Sequence, residues 1–332
     1  MKRKFLQIIT VILLFIVATF SCKKDDSVNC VILPEEVVVA VGGTATLTVT
    51  FIPENATNKK VSWESSDPRI ATVDNGIVIG VAVGQATISV ISQDGGRKAT
   101  CLVAVIQPIV PEMIKVEGGS FIMGCTNEQG EDCETNETPS HTVTVSGFYM
   151  GKYEVTQDEW ETVMGKNPSH FKGSNFPVES VSWNNIQLFI KYLNAATGKK
   201  YRLPTEAEWE FAARGGKLSK GYKYSGSNSA DLVAWYTENS NNSTHPVGAK
   251  EPNELGLYDM SGNVWEFCSD WYGKYSNASQ IDPIGPEIGN ERVARGGSWS
   301  NTAFSSRVSN RGPWSPENII FNGGFRLVLP AE

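Results

Sequence analysis

Sulfur is the most reactive element in this chain, because a thiolate is at once a nucleophile, a redox centre and a soft metal ligand. The cysteines are Cys22, Cys30, Cys101, Cys125, Cys133 and Cys268, and their spacing groups none of them into a metal site. Cys125 and Cys133 bracket the polar stretch Thr126 to Asp132, so closing that loop costs little chain entropy and a disulfide is expected there. Cys30 and Cys101 fall in the first and last strands of the N-terminal region and could bridge if those strands are neighbours. Cys268, beside Phe267 and near Trp271, reads as a buried apolar thiol rather than a nucleophile. The histidines His141, His170 and His245 stand apart from one another, with no ligand spacing. A Gly-x-Ser-x-Gly elbow, a phosphate-cradling glycine loop and a His-Glu-x-x-His zinc helix are all missing from the sequence. Trp235, Tyr236, Trp271, Tyr272, Tyr275, Trp299 and Trp314 could offer stacking faces to a sugar or peptide, although large aromatics in an irregular domain more often fill its interior.

The compartment of these thiols follows from the N-terminus. Met1-Lys2-Arg3-Lys4 is basic, Phe5 to Phe20 is almost wholly apolar, and Ser21-Cys22 closes the run. That run is shorter than the roughly 20 residues a spanning helix needs, and the chain turns polar immediately after Cys22. The segment resembles a lipoprotein signal peptide, which implies that residues 1–22 direct export and that Cys22 carries the lipid, with 23–30 as a tether. Lys23-Lys24-Asp25-Asp26 is similar to tags that carry lipoproteins to the outer face of a Gram-negative outer membrane. The expected location is therefore the outer membrane, lipid-anchored and surface-exposed, where disulfides persist. With 29 basic against 36 acidic residues the chain has no positive field to draw phosphate backbones, so nucleic acid is not an expected partner.

Residues 31–106 alternate with period two: Ala45, Leu47, Val49 and Phe51 against Thr44, Thr46, Thr48 and Thr50. Turn signals at Gly42-Gly43, Asp74-Asn75-Gly76 and Asp94-Gly95-Gly96 divide the alternation, which predicts an all-β sandwich. The strings Val61-Ser62-Trp63-Glu64-Ser65-Ser66-Asp67, Ile70-Ala71-Thr72-Val73-Asp74 and Gly84-Gln85-Ala86-Thr87-Ile88 resemble a bacterial Ig-like group 2 domain, a type that implies a spacer or adhesive module. Residues 107–112 form a proline-bounded linker, expected to hold the next domain away from the first. Residues 113–332 read as α+β. Thr156 with Glu159, and Thr205 with Glu208, are capping boxes; Gly165 and Gly215 stop those helices, and a third opens at Ser182 and ends near Gly198.

The second domain carries Gly118-Gly119-Ser120-Phe121-Ile122-Met123-Gly124, Arg202-Leu203-Pro204-Thr205-Glu206-Ala207-Glu208-Trp209-Glu210, Gly256-Leu257-Tyr258-Asp259-Met260-Ser261-Gly262-Asn263-Val264-Trp265-Glu266, Arg295-Gly296-Gly297-Ser298-Trp299 and Gly324-Phe325-Arg326. Together these resemble the sulfatase-modifying-factor family, which implies the fold of the formylglycine-generating enzyme, itself related to C-type lectins. Active members oxidise a cysteine in a Cys-x-Pro-x-Arg segment using copper on two cysteines. The matching positions here are Asn301 and Ser306, neither of which supplies the soft thiolate that Cu(I) prefers. Copper is therefore not expected, and a copper-dependent formylglycine-generating oxidase stands only as the alternative. The resemblance further implies a calcium loop at Asp259, Gly262, Val264 and Glu266, a hard-oxygen donor set; the competing view makes it a structural turn in which Asp259 caps and Glu266 pairs with an arginine. A second calcium position falls near Asp231 and Leu232. The resulting expectation is a non-catalytic binding or scaffold lipoprotein, with a peptide, a glycan or an envelope protein as partner. Its groove would be floored by Ser298, Trp299, Asn301 and Ser306, with Arg307 and Arg311 free for charge-assisted bonds.

Overall fold

The computed structural model describes residues 27–331; the apolar N-terminal segment and Cys22 lie outside them. The alternation read from residues 31–106 folds as expected. A four-stranded sheet, ordered Glu36–Ala40, Lys98–Ile106, Gly84–Ser92, Val61–Ser65, faces a three-stranded sheet of Thr44–Thr46, Ile77–Gly80 and Ala71–Asp74. Val39, Ile88, Val90, Val103 and Val105 from the first sheet close on Leu47, Ala71 and Val78 from the second side, which is how two half-apolar sheets remove their inner faces from water. Glu36–Ala40 runs parallel to residues 102–106, and the other pairings in the two sheets are antiparallel.

Cys30 and Cys101 do not bridge. The strand Cys30–Ile32 pairs with Thr50–Ile52 rather than with Lys98–Ile106; Cys30 is exposed while Cys101 is buried, and both thiols are free. Two cysteines presented on opposite sides of a sheet cannot bring their Cβ atoms to bonding distance. Cys125 and Cys133 are joined, with Cα atoms 5.8 Å apart.

Three helices of eight residues or more organise the second domain among short strands. The first, α1 (Gln157–Met164), has Thr156 as N-cap in a complete capping box with Glu159 and ends at Gly165 with φ 77°. The second, α2 (Trp183–Thr197), is capped by Ser182 with Asn185 in the reciprocal position and ends at Gly198. The third, α3 (Glu206–Ala213), is capped by Thr205 and Glu208, and Gly215 follows with φ 88°. Each cap satisfies amide protons that the first turn leaves unpaired, a contribution of about 1 kcal/mol. One core surrounds α3, where Ala207, Trp209 and Phe211 meet Val116, Val143, Phe148, Met260 and Val293. A second lies under α1 and α2, where Trp160, Ile186, Phe189 and Leu193 meet Leu203, Phe325 and Leu327. A four-stranded sheet ordered Arg311–Trp314, Arg292–Arg295, Trp265–Trp271, Gly323–Gly324 connects the two cores.

The linker does not hold the domains apart. Ile106, the last residue of the sandwich strand, is buried in the core of α1 and α2, with Val38 and Ile109 packed against the same cluster. Glu36 of the sandwich accepts from Tyr192 and pairs with Lys191 on α2. Apolar residues at both ends of a short linker found more free energy in burial than in extension. The expected outcome of Ile106→Ala is a loss of about 2–5 kcal/mol. It also converts one calorimetric unfolding transition into two, because the side chain anchors the end of the sandwich strand in the core of the second domain.

Candidate functional site

The loop that follows Arg292–Arg295 sets the first candidate site. Gly296 and Gly297 have φ of 91° and 70°, and a Cβ on Gly297 would lie 2.8 Å from the Ser305 carbonyl carbon. Only glycine permits this close return of the chain, which turns Ser298 inward. Ser298 Oγ donates to Asn301 Oδ1 at 2.6 Å, Trp265 Nε1 donates to the same oxygen at 2.9 Å, and Asn322 Nδ2 donates to Ser298 Oγ at 2.9 Å. The Ser306 hydroxyl is buried without a partner among the described residues, while its carbonyl accepts from Ser261 Oγ. The positions matching the family's copper cysteines thus hold an amide already spent on two donors and a hydroxyl. The three unbonded or paired sulfurs elsewhere in the domain do not replace them, since Cys125 and Cys133 are joined and burial pushes the Cys268 thiol well above its ordinary range.

Arg307 and Arg311 are not free. Arg307 is fully buried and bonds both oxygens of Glu137, at 2.9 and 2.5 Å. Arg311 bonds Glu206 through Nε and a terminal nitrogen at 2.7 and 2.6 Å. A buried guanidinium without a carboxylate would be too costly to keep, so these charges belong to the scaffold. Next to Ser298 the buried ring of Trp299 is flanked by two further aromatics, of which Phe321 reaches the surface. Trp299 meets Phe171 edge-on at 5.2 Å and Phe321 at 5.9 Å; Phe321 is 57% exposed, and the Trp299 indole N–H is buried without a partner. Phe171 and Phe321 were not singled out in the sequence, because neither lies in a recognisable string and only the fold brings them to Trp299.

The loop expected to bind calcium coils tightly: Asp259, Gly262 and Asn263 all have positive φ, at 56°, 81° and 59°. Asp259 Oδ2 accepts from Gly248 N at 2.7 Å, whereas its Oδ1 is buried with no partner. Burial pushes the Asp259 carboxyl up to about 6. Glu154 lies close by, bonding Asn263 Nδ2 and Val264 N, and burial followed by repulsion from Asp259 and Glu266 raises it well above the carboxylate range. Glu266 holds Arg326 through both oxygens at 2.6 Å and accepts from Trp209 Nε1 at 2.7 Å. Glu266 is therefore paired with an arginine, as the competing view of the loop has it. The Asp259 end still fits a hard cation: it has a spare buried oxygen, and three buried carboxylates face one guanidinium. Among the described residues, no group of three or more His, Cys, Asp and Glu side chains is arranged to hold a metal. At the second position, Lys250 Nζ donates to the Asp231 carbonyl at 2.6 Å and Glu251 N to that of Leu232. A lysine ammonium takes the place a cation would need.

Comparison with known proteins follows the same division of the chain. A family model described as the sulfatase-modifying factor enzyme 1-like domain matches residues 102–331, and one for the bacterial Ig-like domain, group 2, matches residues 29–103. The chaperone protein LppX of Paenibacillus barcinonensis is 35% identical over 270 residues, covering 65% of this chain and 89% of its own. The formylglycine-generating enzyme of Streptomyces coelicolor is 29% identical over 288 residues, covering 66% and 89%. Among solved structures, Treponema denticola variable protein 1 aligns with a TM-score of 0.60 at 31% identity, covering 71% of this chain and 97% of its own. Both expected resemblances are borne out. The domain boundary is finer in the structure than in the match, since residues 102–106 belong to the sandwich strand.

The Glu266 pair gives a direct expectation. Glu266→Ala leaves Arg326 buried and unpaired, which costs about 3–5 kcal/mol, read as a lower urea midpoint with an unchanged slope.

Proposed function

Because this chain belongs to the sulfatase-modifying factor enzyme 1-like family, with a bacterial Ig-like domain ahead of it, we propose that it is a cell-envelope lipoprotein whose second domain binds a polypeptide segment without performing chemistry on it. The observation that carries the reading is the pair Asn301 and Ser306. An amide oxygen bonded to Ser298 and Trp265 and a buried hydroxyl stand where active relatives place sulfur, and neither suits Cu(I). The exposed ring of Phe321, with half-buried Phe171 beside it over the buried Trp299, supports a peptide rather than an ionic ligand, since rigid aromatic rings bury apolar area with little entropy loss. The name chaperone protein, borne by the 35% identical LppX, agrees with action on another polypeptide. Export and lipidation at Cys22 rest on the sequence of residues 1–26, and would place the binding face outside the cytoplasm at the outer membrane. Calcium is the proposed structural ion, held by Asp259 with the carbonyls of Gly262 and Val264 and a share of the Glu266 carboxylate; it would offset the excess of buried negative charge.

Two measurements test this reading. Incubated with copper, oxygen and a Cys-x-Pro-x-Arg peptide, the purified chain should leave the peptide mass unchanged; conversion of its cysteine to the aldehyde would establish the oxidase instead. Crosslinking in whole envelopes should recover a polypeptide partner, and Phe321→Ala should weaken that association about tenfold or more, the scale of an aromatic anchor. Recovery of glycan alone would replace the peptide. For the ion, calcium in hundredfold excess over its dissociation constant should stabilise the fold by about 2.7 kcal/mol relative to chelator. Asp259→Asn should remove most of that difference in melting temperature.

A further inference from the structure

A second cleft, lined by different residues, lies where the strand Trp265–Trp271 ends against the loop 273–286. Its volume is about 350 Å³, within the range of small-molecule sites. Asp270 lies at its base, 4% exposed. Asp270 Oδ2 accepts from Glu206 N at 3.0 Å and Ser269 Oγ at 2.9 Å; Oδ1 has no bonding partner among the described residues. The loop backbone closes over this oxygen: a Cβ on Gly285, whose φ is 72°, would lie 2.9 Å from Asp270 Cβ and 3.2 Å from Oδ1. Beside it, His141 Nδ1 sits 3.1 Å from the Pro139 carbonyl. A carbonyl can only accept, so Nδ1 carries a proton.

The buried carboxylates around the cleft are paired except Asp270, while Lys274, exposed at the rim, has no ion pair among the described residues. Glu206 is bonded by Arg311 and Arg295, which hold it below the usual carboxylate range against the upward push of burial. Glu210 is bonded by Arg295 and Arg214. Asp270 has no bonded cation: Arg292, the guanidinium nearest in effect, gives its terminal N–H to the Ser269 carbonyl instead and stacks on Trp271 at 3.4 Å. Met123, Pro283, Ile284 and Pro286 form an apolar side of the lining, with Lys274, Ser276 and Gln280 as its polar part, and Ile284 is 71% exposed.

We propose that this cleft is a binding site for an alkylammonium group, a cation on an apolar stem, held by Asp270 Oδ1 with its stem against Met123, Pro283, Ile284 and Pro286. The site goes beyond the peptide-binding reading of the Trp299 face and does not depend on it. Burial, and then repulsion from Glu206 and Glu208, pushes the Asp270 carboxyl up to about 7, against hydrogen bonds that lower it. The other groups facing it are Arg292, Arg202 and Cys268, with His141, Lys274, Tyr275 and Arg311 around the cleft. Above pH 7 the carboxylate is ionised and attracts the ammonium; below it the carboxyl is neutral and the attraction is lost.

The test uses the full chain and two probes, pentylamine and Nα-acetyl-lysine methylamide, with Nα-acetyl-norleucine methylamide as uncharged control. Binding is followed by the shift of the Trp271 indole proton in NMR. Both amines should bind about tenfold more tightly at pH 8 than at pH 6, as ionisation about pH 7 requires, and the norleucine control should not bind. Asp270→Asn should abolish the shift, and Gly285→Ala, which crowds Oδ1, should weaken it. A preference for the lysine derivative over pentylamine assigns the site to a protein side chain; the reverse assigns it to a small amine. Equal binding of the control, a flat pH profile in the unsubstituted chain, or shifts confined to the Trp299 indole would overturn the proposal. None of those results bears on whether Phe321 anchors a polypeptide.

Discussion

The second domain depends on carboxylate–guanidinium pairs removed from water. Arg295, Arg307 and Arg326 are among its largest fully buried side chains, and each is matched by Glu210, Glu137 or Glu266. Glu206 adds a fourth node, joined to Arg295 and Arg311 together. Such pairs contribute little net stability compared with apolar packing of the same volume, yet removing one partner is severe. Their effect is therefore selective: an arrangement of these loops that separates any pair is excluded. In a body whose strands are mostly two to five residues long, directional bonds of this kind do what long ladders do elsewhere.

The same constraint bears on the surface proposed to bind a polypeptide. Arg307 and Arg311 are consumed by Glu137 and Glu206, so neither is available to a ligand, and Phe321 is the exposed member of the aromatic cluster beside Ser298. Asn301 likewise spends its amide oxygen on Ser298 and Trp265. A position that could have held a metal ligand instead joins two segments of the domain.

What could be read from the sequence was what is local. The boxes at Thr156 and Thr205 are separated from their glutamates by three residues, and both helices start where those residues place them. Cys125 and Cys133 are separated by eight positions and are joined. Strand alternation placed the sandwich because each half-buried strand carries its own record of inside and outside. The partners of Arg307 and Arg311 were not legible: Glu137 lies 170 positions away and Glu206 105, and nothing in the composition of either segment marks them as pairs. Prolines at 108 and 111 suggested separation, but the apolar residues around them decided otherwise, because Ile106 and Val38 are worth more buried than exposed.

The parallel pairing of Glu36–Ala40 with residues 102–106 has a mechanical result. Tension applied between residue 36 and the second domain pulls Glu36–Ala40 by its leading end and Lys98–Ile106 by its trailing end, so the two are drawn past each other along their length. Hydrogen bonds lying across that direction share the load and must break nearly together, unlike a hairpin peeled open one rung at a time. The sandwich is thus built as a shear joint, and the docking of Ile106 carries its far side into the body it supports.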